Sequence, residues 1–474
     1  VPAALVTLPR VLRLVATAFV LLALTGGCRR HRVVHANRSI AVELRDRALT
    51  GSKAFEHVRD LATVVGPRLA GSEGDRRAVD WAVAKMRAID LAAVRAESVT
   101  VPHWERGVER ATLDGRPLAI TALGGSVATP PGGVEAEVVV AESLEALDAV
   151  PDDAIRGRIV FFDKPMVRAV DGSGYEAAVD VRARGAIAAA RKGAVASVIR
   201  SIGTGGGRAP HTGGLRYDDA VPKIPAAALA IPDAAFLREA LAATPGLRLR
   251  LELGCRTLPD ATSANVIGEI RGRARPDEIV LLGAHLDSWD LGRGAVDDGA
   301  GVAVVLEVGR MLRERGLTPR RTIRIVLFAN EENGLRGARA YAAAHARELD
   351  AHVLGLELDL GSGPVHAIHA LAGPDSIPAL RAIAAPLAAL GIAPVDERPI
   401  HGADLWPLRA AGVPVVDLDQ DATRYFDVHL TADDTLAAID PRELDQVTAA
   451  TVAFVWNAAE SRVTFGRIPA DARR

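Results

Sequence analysis

Two short stretches of the chain hold residue types from which metal sites are built. Gly283-Ala-His285-Leu-Asp287 closes an apolar run with a His and an Asp, and Gly294-Ala-Val-Asp297-Asp298-Gly delivers another Asp from a Gly-rich turn to the start of a helix. Farther on come Glu331-Glu332, Asp359 and His429. Imidazole nitrogens and carboxylate oxygens are good zinc donors. Together these residues supply N/O ligands for two divalent ions, with one Glu left over. The side chains of adjacent Glu331 and Glu332 diverge, so one can ligate while the other holds a water. A metal pair of this kind polarises a carbonyl and provides hydroxide near neutral pH.

Such groups need rigid carriers. Glu278–Gly283 and Thr322–Ala329 are mostly apolar, the second interrupted only by Arg324, which suits strands buried on both faces. Between them the spacing predicts a helix over about 298–315, with Val304, Val305, Val308, Met311 and Leu312 on one stripe. Helix 336–348, strand 352–358, helix 376–390, strand 413–418 and helix 441–460 follow. This alternation predicts a three-layer α/β sandwich. His285, Asp287, Glu331, Glu332 and Asp359 then fall at carboxyl ends of strands, where ligands bind in such sheets.

Upstream, 54–91 reads as helical, broken by Gly66-Pro-Arg-Leu-Ala-Gly-Ser72. Its second helix, about 74–88, gathers Ala78, Trp81, Ala82 and Met86 on one core-facing side. From about 97 to 260 the runs Ala136–Ala141, Arg158–Phe162, Ala194–Ile199 and Leu247–Leu253 suggest a β-rich domain with one helical piece at 176–192 and few candidate catalytic groups. Gly203-Thr-Gly-Gly-Gly207 lacks the Lys-Ser/Thr ending of a phosphate loop and reads as a turn or a mobile lid.

At 474 residues the chain can bury a large core in two domains, and 49% hydrophobic with 24% charged residues marks it as globular. A net charge of -2 gives no reason to expect a nucleic-acid partner. Arg10 and Arg13 precede the apolar run Leu14–Leu24 and then Thr25-Gly-Gly-Cys28, the pattern of an export signal too short to span a bilayer comfortably. Cys28 after small residues resembles a bacterial lipoprotein signal. Membrane contact is therefore expected only through a lipid anchor at Cys28, and the protein is expected in the cell envelope or secreted. No disulfide is expected between Cys28 and Cys255.

Taken together, these motifs resemble the two-zinc aminopeptidase family, in particular its plasma glutamate carboxypeptidase (carboxypeptidase Q) branch. The resemblance rests on Gly66–Ser72, Gly283–Gly292, Gly294–Gly301, Asn330–Gly337, Glu357-Leu-Asp359 and Tyr425-Phe-Asp-Val-His429. It covers nearly all the chain after the signal, 1–28. It implies a catalytic domain formed by 29–104 and 256–465, with a mixed central sheet. Residues 105–255 resemble the branch's inserted protease-associated domain, with Ile159–Lys164 and His211-Thr-Gly213 as its familiar pieces. The resemblance implies a zinc exopeptidase acting on short peptides or dipeptides, two zinc ions, and a homodimer. It makes Glu331 the general base, His285 a terminal ligand oriented by Asp287, and Asp297 the bridge, joined to Asp298 by a cis peptide. Asp359 would share the ion of His285, and Glu332 with the late His would hold the other.

The chain departs from the family at that late His. Members carry His-His and use the second, four residues before the Asp of an Asp-Thr pair. Here Asp434-Thr435 is the pair and Leu430 stands at the ligand position. His429 has the expected spacing to Asp433, so a one-residue shift of the loop would restore the ligand. Without it, the alternative is a catalytically impaired, envelope-anchored binding protein of the same fold. His345, His352, His366 and His369 read as surface or core residues, while His401 and Asp404 are candidates for lining the pocket, ahead of Arg424 and Asp427.

Overall fold

Strand Arg275–His285 is the axis of the molecule because it is apolar on both faces. Val280, Leu282 and Ala284 pack to one side, and Leu281 packs to the other. The structure, a computed structural model, describes residues 40–398 and 402–473; the signal segment with Cys28, and His401, lie outside the described residues. The central sheet has eight strands in the order Ala92–Glu105, Arg256–Ile270, Arg321–Phe328, Arg275–His285, His352–Glu357, Val415–Gln420, Val365–Leu371 and Asp396–Glu397. It is mixed. The axial strand runs parallel to Arg321–Phe328 and to His352–Glu357, which in turn runs parallel to Val415–Gln420. Arg256–Ile270 and Val365–Leu371 pair antiparallel to their neighbours.

Helices Gly299–Glu314 and Pro441–Glu460 cover one face with the helical turns of 40–65. Helices Arg336–Ala344 and Trp406–Ala410 cover the other, giving three layers. Arg324 is tolerated in its apolar strand because its guanidinium meets Glu269 at 2.8 Å and the Tyr341 hydroxyl at 3.0 Å. Trp81 lies in the core with Ala78, Ala82 and Met86, and its indole nitrogen donates to Asp60 at 2.9 Å.

Several predicted bounds move. The 336–348 helix stops at Ala344, and 376–390 is α-helical only to Ala384, then tightens around Pro386. The long strands Ala92–Glu105 and Arg256–Ile270 escape prediction because their outer halves are polar and exposed.

All strands between Glu109 and Leu253 form a second eight-stranded sheet. This part is β-rich, as expected, with a parallel core to its sheet. Strands Val134–Ala141, Ile159–Phe162, Ala196–Arg200 and Ala226–Leu229 are mutually parallel, and helices Asp180–Arg191 and Ile231–Ala243 pack beside them. The second unit is thus α/β. The helical piece expected at 176–192 is Asp180–Arg191, whereas Ile231–Ala243 is Ala-rich and weakly two-sided, so periodicity marks it poorly.

Candidate metal centre

The strand register brings the site together. His285 pairs with Phe328, and Gly283 pairs with both Val326 and Glu357, so the loops after three adjacent strands open at one place. His285 comes from the axial strand end, Glu331 and Glu332 follow the second strand, and Asp359 follows the third. Asp297 arrives from the turn before helix Gly299–Glu314.

That turn is held by three side chains. Arg68 is fully buried and donates to the carbonyls of Leu286 at 2.5 Å, Arg293 at 3.0 Å and Gly294 at 2.8 Å. It thereby ties the loop after His285 to the turn before Asp297. Asp434 accepts the backbone N–H groups of Ala295 at 2.9 Å, Val296 at 2.6 Å and Asp297 at 3.3 Å. Asp298 accepts from the His285 N–H at 3.0 Å and caps the helix by accepting from the Gly301 N–H at 3.0 Å. The peptide between Asp297 and Asp298 is cis.

His285 Nε2 lies 3.1 Å from Asp297 Oδ1 and 3.1 Å from Asp359 Oδ1. Among the described residues this is the one group of three or more such side chains whose donor atoms all lie within 4.8 Å of one another. His285 Nδ1 faces the Asp287 carbonyl at 3.2 Å, which accepts a hydrogen bond from its N–H. In the neutral tautomer so fixed, Nε2 presents a lone pair to two carboxylate oxygens. A dication between the three satisfies all of them, whereas one proton cannot. The residues therefore fit a metal. Burial works against a charged imidazole, but Asp359, Asp287 and Asp297 outweigh it and hold His285 well above its usual range.

His429 adjoins through the other oxygen of Asp297, with Nε2 3.4 Å from Asp297 Oδ2. Its Nδ1 is buried without a partner, as is Glu332 Oε1. Glu332 is held well above the ordinary carboxyl range by burial and then by Asp297. Asp287 Oδ1 accepts the Glu331 N–H at 3.0 Å, linking the strand that carries His285 to the Glu pair. Burial, then the Asp359 charge, pushes Glu331 up to about 8.

The loop around Leu430 differs from the expected shift. Asp434, not the exposed Asp433, anchors the Asp297 turn, so His429 precedes the anchoring Asp by five residues. Leu430 takes up the extra residue with a left-handed φ of 56°. Its side chain packs with Leu69, Trp104 and Trp289 in the apolar core of the second unit.

Asp404 is buried beside Glu357, and its carboxylate has no hydrogen-bond partner among the described residues. Arg424 and Asp427 face away: Arg424 pairs with Glu443, and Asp427 with Arg168. His345, His352, His366 and His369 are engaged with Glu97, Tyr341 and Asp419, outside the cluster. The Gly203–Gly207 turn docks on the His429 segment, where Thr204 donates to Asp427 Oδ1 at 2.8 Å. Sequence reasoning missed Tyr175, whose ring lies edge-on to His429 at 5.2 Å, and Tyr425 at 4.7 Å. Tyr425 sat within a quoted motif, but nothing in the local pattern marks Tyr175.

Comparisons with known proteins identify the family. A family model described as Peptidase family M28 matches residues 265–455. The chain is 36% identical over 409 residues to carboxypeptidase Q of Mus musculus, covering 85% of each chain. A solved structure from Shewanella amazonensis, described as a Peptidase M28 precursor, superposes with a TM-score of 0.90 at 42% identity, covering 92% of this chain and 99% of that one. A zinc aminopeptidase from Bacillus subtilis shares the fold with a TM-score of 0.64 at 21% identity, over 88% of this chain and 98% of that one. With a relative 36% identical over 85% of each chain and a solved structure that superposes over nearly its whole length, the chain belongs to peptidase family M28, among the relatives of carboxypeptidase Q, and is a metallopeptidase.

Proposed function

We propose that this metallopeptidase is a two-zinc exopeptidase that hydrolyses the N-terminal peptide bond of short peptides or dipeptides. The observation that carries the reading is the meeting of His285 Nε2 with two carboxylates at 3.1 Å, with His429 on the far oxygen of the shared Asp297. His285 and Asp359 would hold one ion, Glu332 and His429 the other, and Asp297 both. Zinc bound there supplies Lewis acidity toward the scissile carbonyl and toward water.

The protein groups do the rest. Asp287 fixes the His285 tautomer through its carbonyl and the Glu331 backbone through its carboxylate. Glu331 takes a proton from the attacking water and returns it to the leaving amine. His285, Asp297 and His429 are buried, while Glu331, Glu332 and Asp359 are half-buried and so remain open to water and substrate.

Glu331→Gln should keep zinc and lose most turnover, on the order of 100-fold or more. Near-normal activity in that variant would remove Glu331 as the base. Elemental analysis of the purified wild type should find two zinc ions per chain. Fewer than one, with no dipeptide cleaved, would leave a binding protein of the same fold. Export with lipidation of Cys28 belongs to the same reading, and radiolabelled fatty acid incorporated by wild type but not by Cys28→Ala checks it.

A further inference from the structure

The second unit places a cation beside the site that the proposed chemistry does not use. Arg182 lies on helix Asp180–Arg191. Its helix neighbours Arg184 and Arg191 pair with Asp180 at 2.5 Å and Asp218 at 2.9 Å. Arg182 forms no ion pair with a carboxylate among the described residues, and its Nε is buried without a hydrogen-bond partner. Instead, the guanidinium bonds to the hydroxyl of Tyr175 and lies 5.3 Å from that ring's centroid.

This head group is held by its neighbours one residue away from the centre. Gly213 has a φ of +113°, a conformation that favours glycine, and the Arg182 head group fills the space beside it, with Nη1 2.2 Å from where a Cβ would stand. The next residue touches the metal side, since a Cβ on Gly214 would lie 3.2 Å from the Glu332 carbonyl. Tyr175, which Arg182 orients, stacks edge-on against His429 at 5.2 Å. The charge of Arg182 is felt at His429 and His211.

A partly buried guanidinium without a counter-ion is costly, and a planar carboxylate is its best complement. The carboxylates beside it would be offset by the two dications they hold, which leaves Arg182 as a fixed cation able to meet an anionic substrate end. We infer that Arg182 binds the free C-terminal carboxylate of the residue that leaves, and so makes the enzyme select dipeptide-length substrates. This deepens, and rests on, the exopeptidase reading.

The test uses the full zinc-loaded protein with alanyl-alanine, leucyl-alanine and their C-terminal amides. Wild type should prefer the free acids in kcat/KM by on the order of 30- to 100-fold, the usual worth of a charge-assisted hydrogen bond. Arg182→Gln should lose that factor on the acids and leave the amides unchanged, so that the preference falls to about one. Arg182→Lys should keep part of it. Equal cleavage of acid and amide by wild type, or equal losses on both in the variant, would overturn the assignment. Failure of the exopeptidase reading looks different, because wild type would then cleave none of the four. Calorimetry on the Glu331→Gln protein decides that case. A preference for acid over amide that disappears with Arg182→Gln keeps Arg182 as the carboxylate site, and equal binding of both removes it.

Discussion

His429 and Leu430 are neighbours with opposite surroundings, and the difference lies in one backbone angle. The left-handed φ of 56° at Leu430 leaves the imidazole of His429 against Asp297 and the isobutyl group in the apolar core of the second unit. His429→Ala should therefore lose one of the two proposed ions in elemental analysis and most of the turnover, by about 100-fold. Leu430→His puts a polar ring among Leu69, Trp104 and Trp289 and aims nothing at the metals. It should lower stability by about 2–3 kcal/mol in denaturant titration without raising kcat/KM. A clear gain in activity would show that the loop can re-register and that the wild-type arrangement is the weaker one.

At the scale of elements, the centre depends on how the start of helix Gly299–Glu314 is seated. Asp298 joins that helix to the His285 strand by accepting from both backbones. Gly301 completes the seat: a Cβ there would stand 2.3 Å from Asp298 Oδ1 and 2.4 Å from the Leu358 carbonyl, next to Asp359. Gly301→Ala must push the helix away from the strand end. We expect a cost of about 1–3 kcal/mol and a weaker hold on zinc, read by thermal unfolding with and without added metal. Preserved stability with unchanged zinc affinity would show that the turn is softer than its contacts imply. Arg68 works at the same scale, because it spends its donors on three loop carbonyls rather than on a carboxylate.

For the molecule as a whole, acid stability is set partly far from the site. His352 begins the third central strand, accepts from the Tyr341 hydroxyl at 2.8 Å and donates to the Glu348 carbonyl at 2.9 Å. Both bonds are made by the neutral ring, and burial lowers its pKa from 6.5 to about 4. A histidine depressed in the fold stabilises it fully above the unfolded pKa and loses that contribution as pH falls through the folded one. Stability should therefore drop between about pH 6.5 and pH 4, by up to about 3 kcal/mol. His352→Gln should flatten that part of the profile of melting temperature against pH. An unchanged slope would place the acid sensitivity elsewhere. The two units themselves are locked together by Arg106–Asp290 at 2.6 Å, Arg168–Asp427 at 2.6 Å and the Trp289 indole seated on Gly124.

The sequence by itself determined the alternation of apolar strands and two-sided helices after residue 261, and the His, Asp and Glu types at the strand ends. Both follow from local chemistry: a strand buried on two faces must be apolar, and a metal needs donors where the sheet stops excluding them. Helix Pro441–Glu460 and the core face of Trp81 were legible for the same reason. The tertiary structure alone decided which neighbour of a pair faces the site. His429 rather than Leu430 meets Asp297 because Asp434, distant in sequence from that turn, fixes the turn through three backbone N–H groups. It also decided that Tyr175, in a unit whose sequence offered few candidate groups, lies against His429, with Arg182 over the Tyr175 ring. Such placement depends on contacts between segments more than 200 residues apart, as in the Thr204–Asp427 bond with its separation of 223, and no local pattern encodes them.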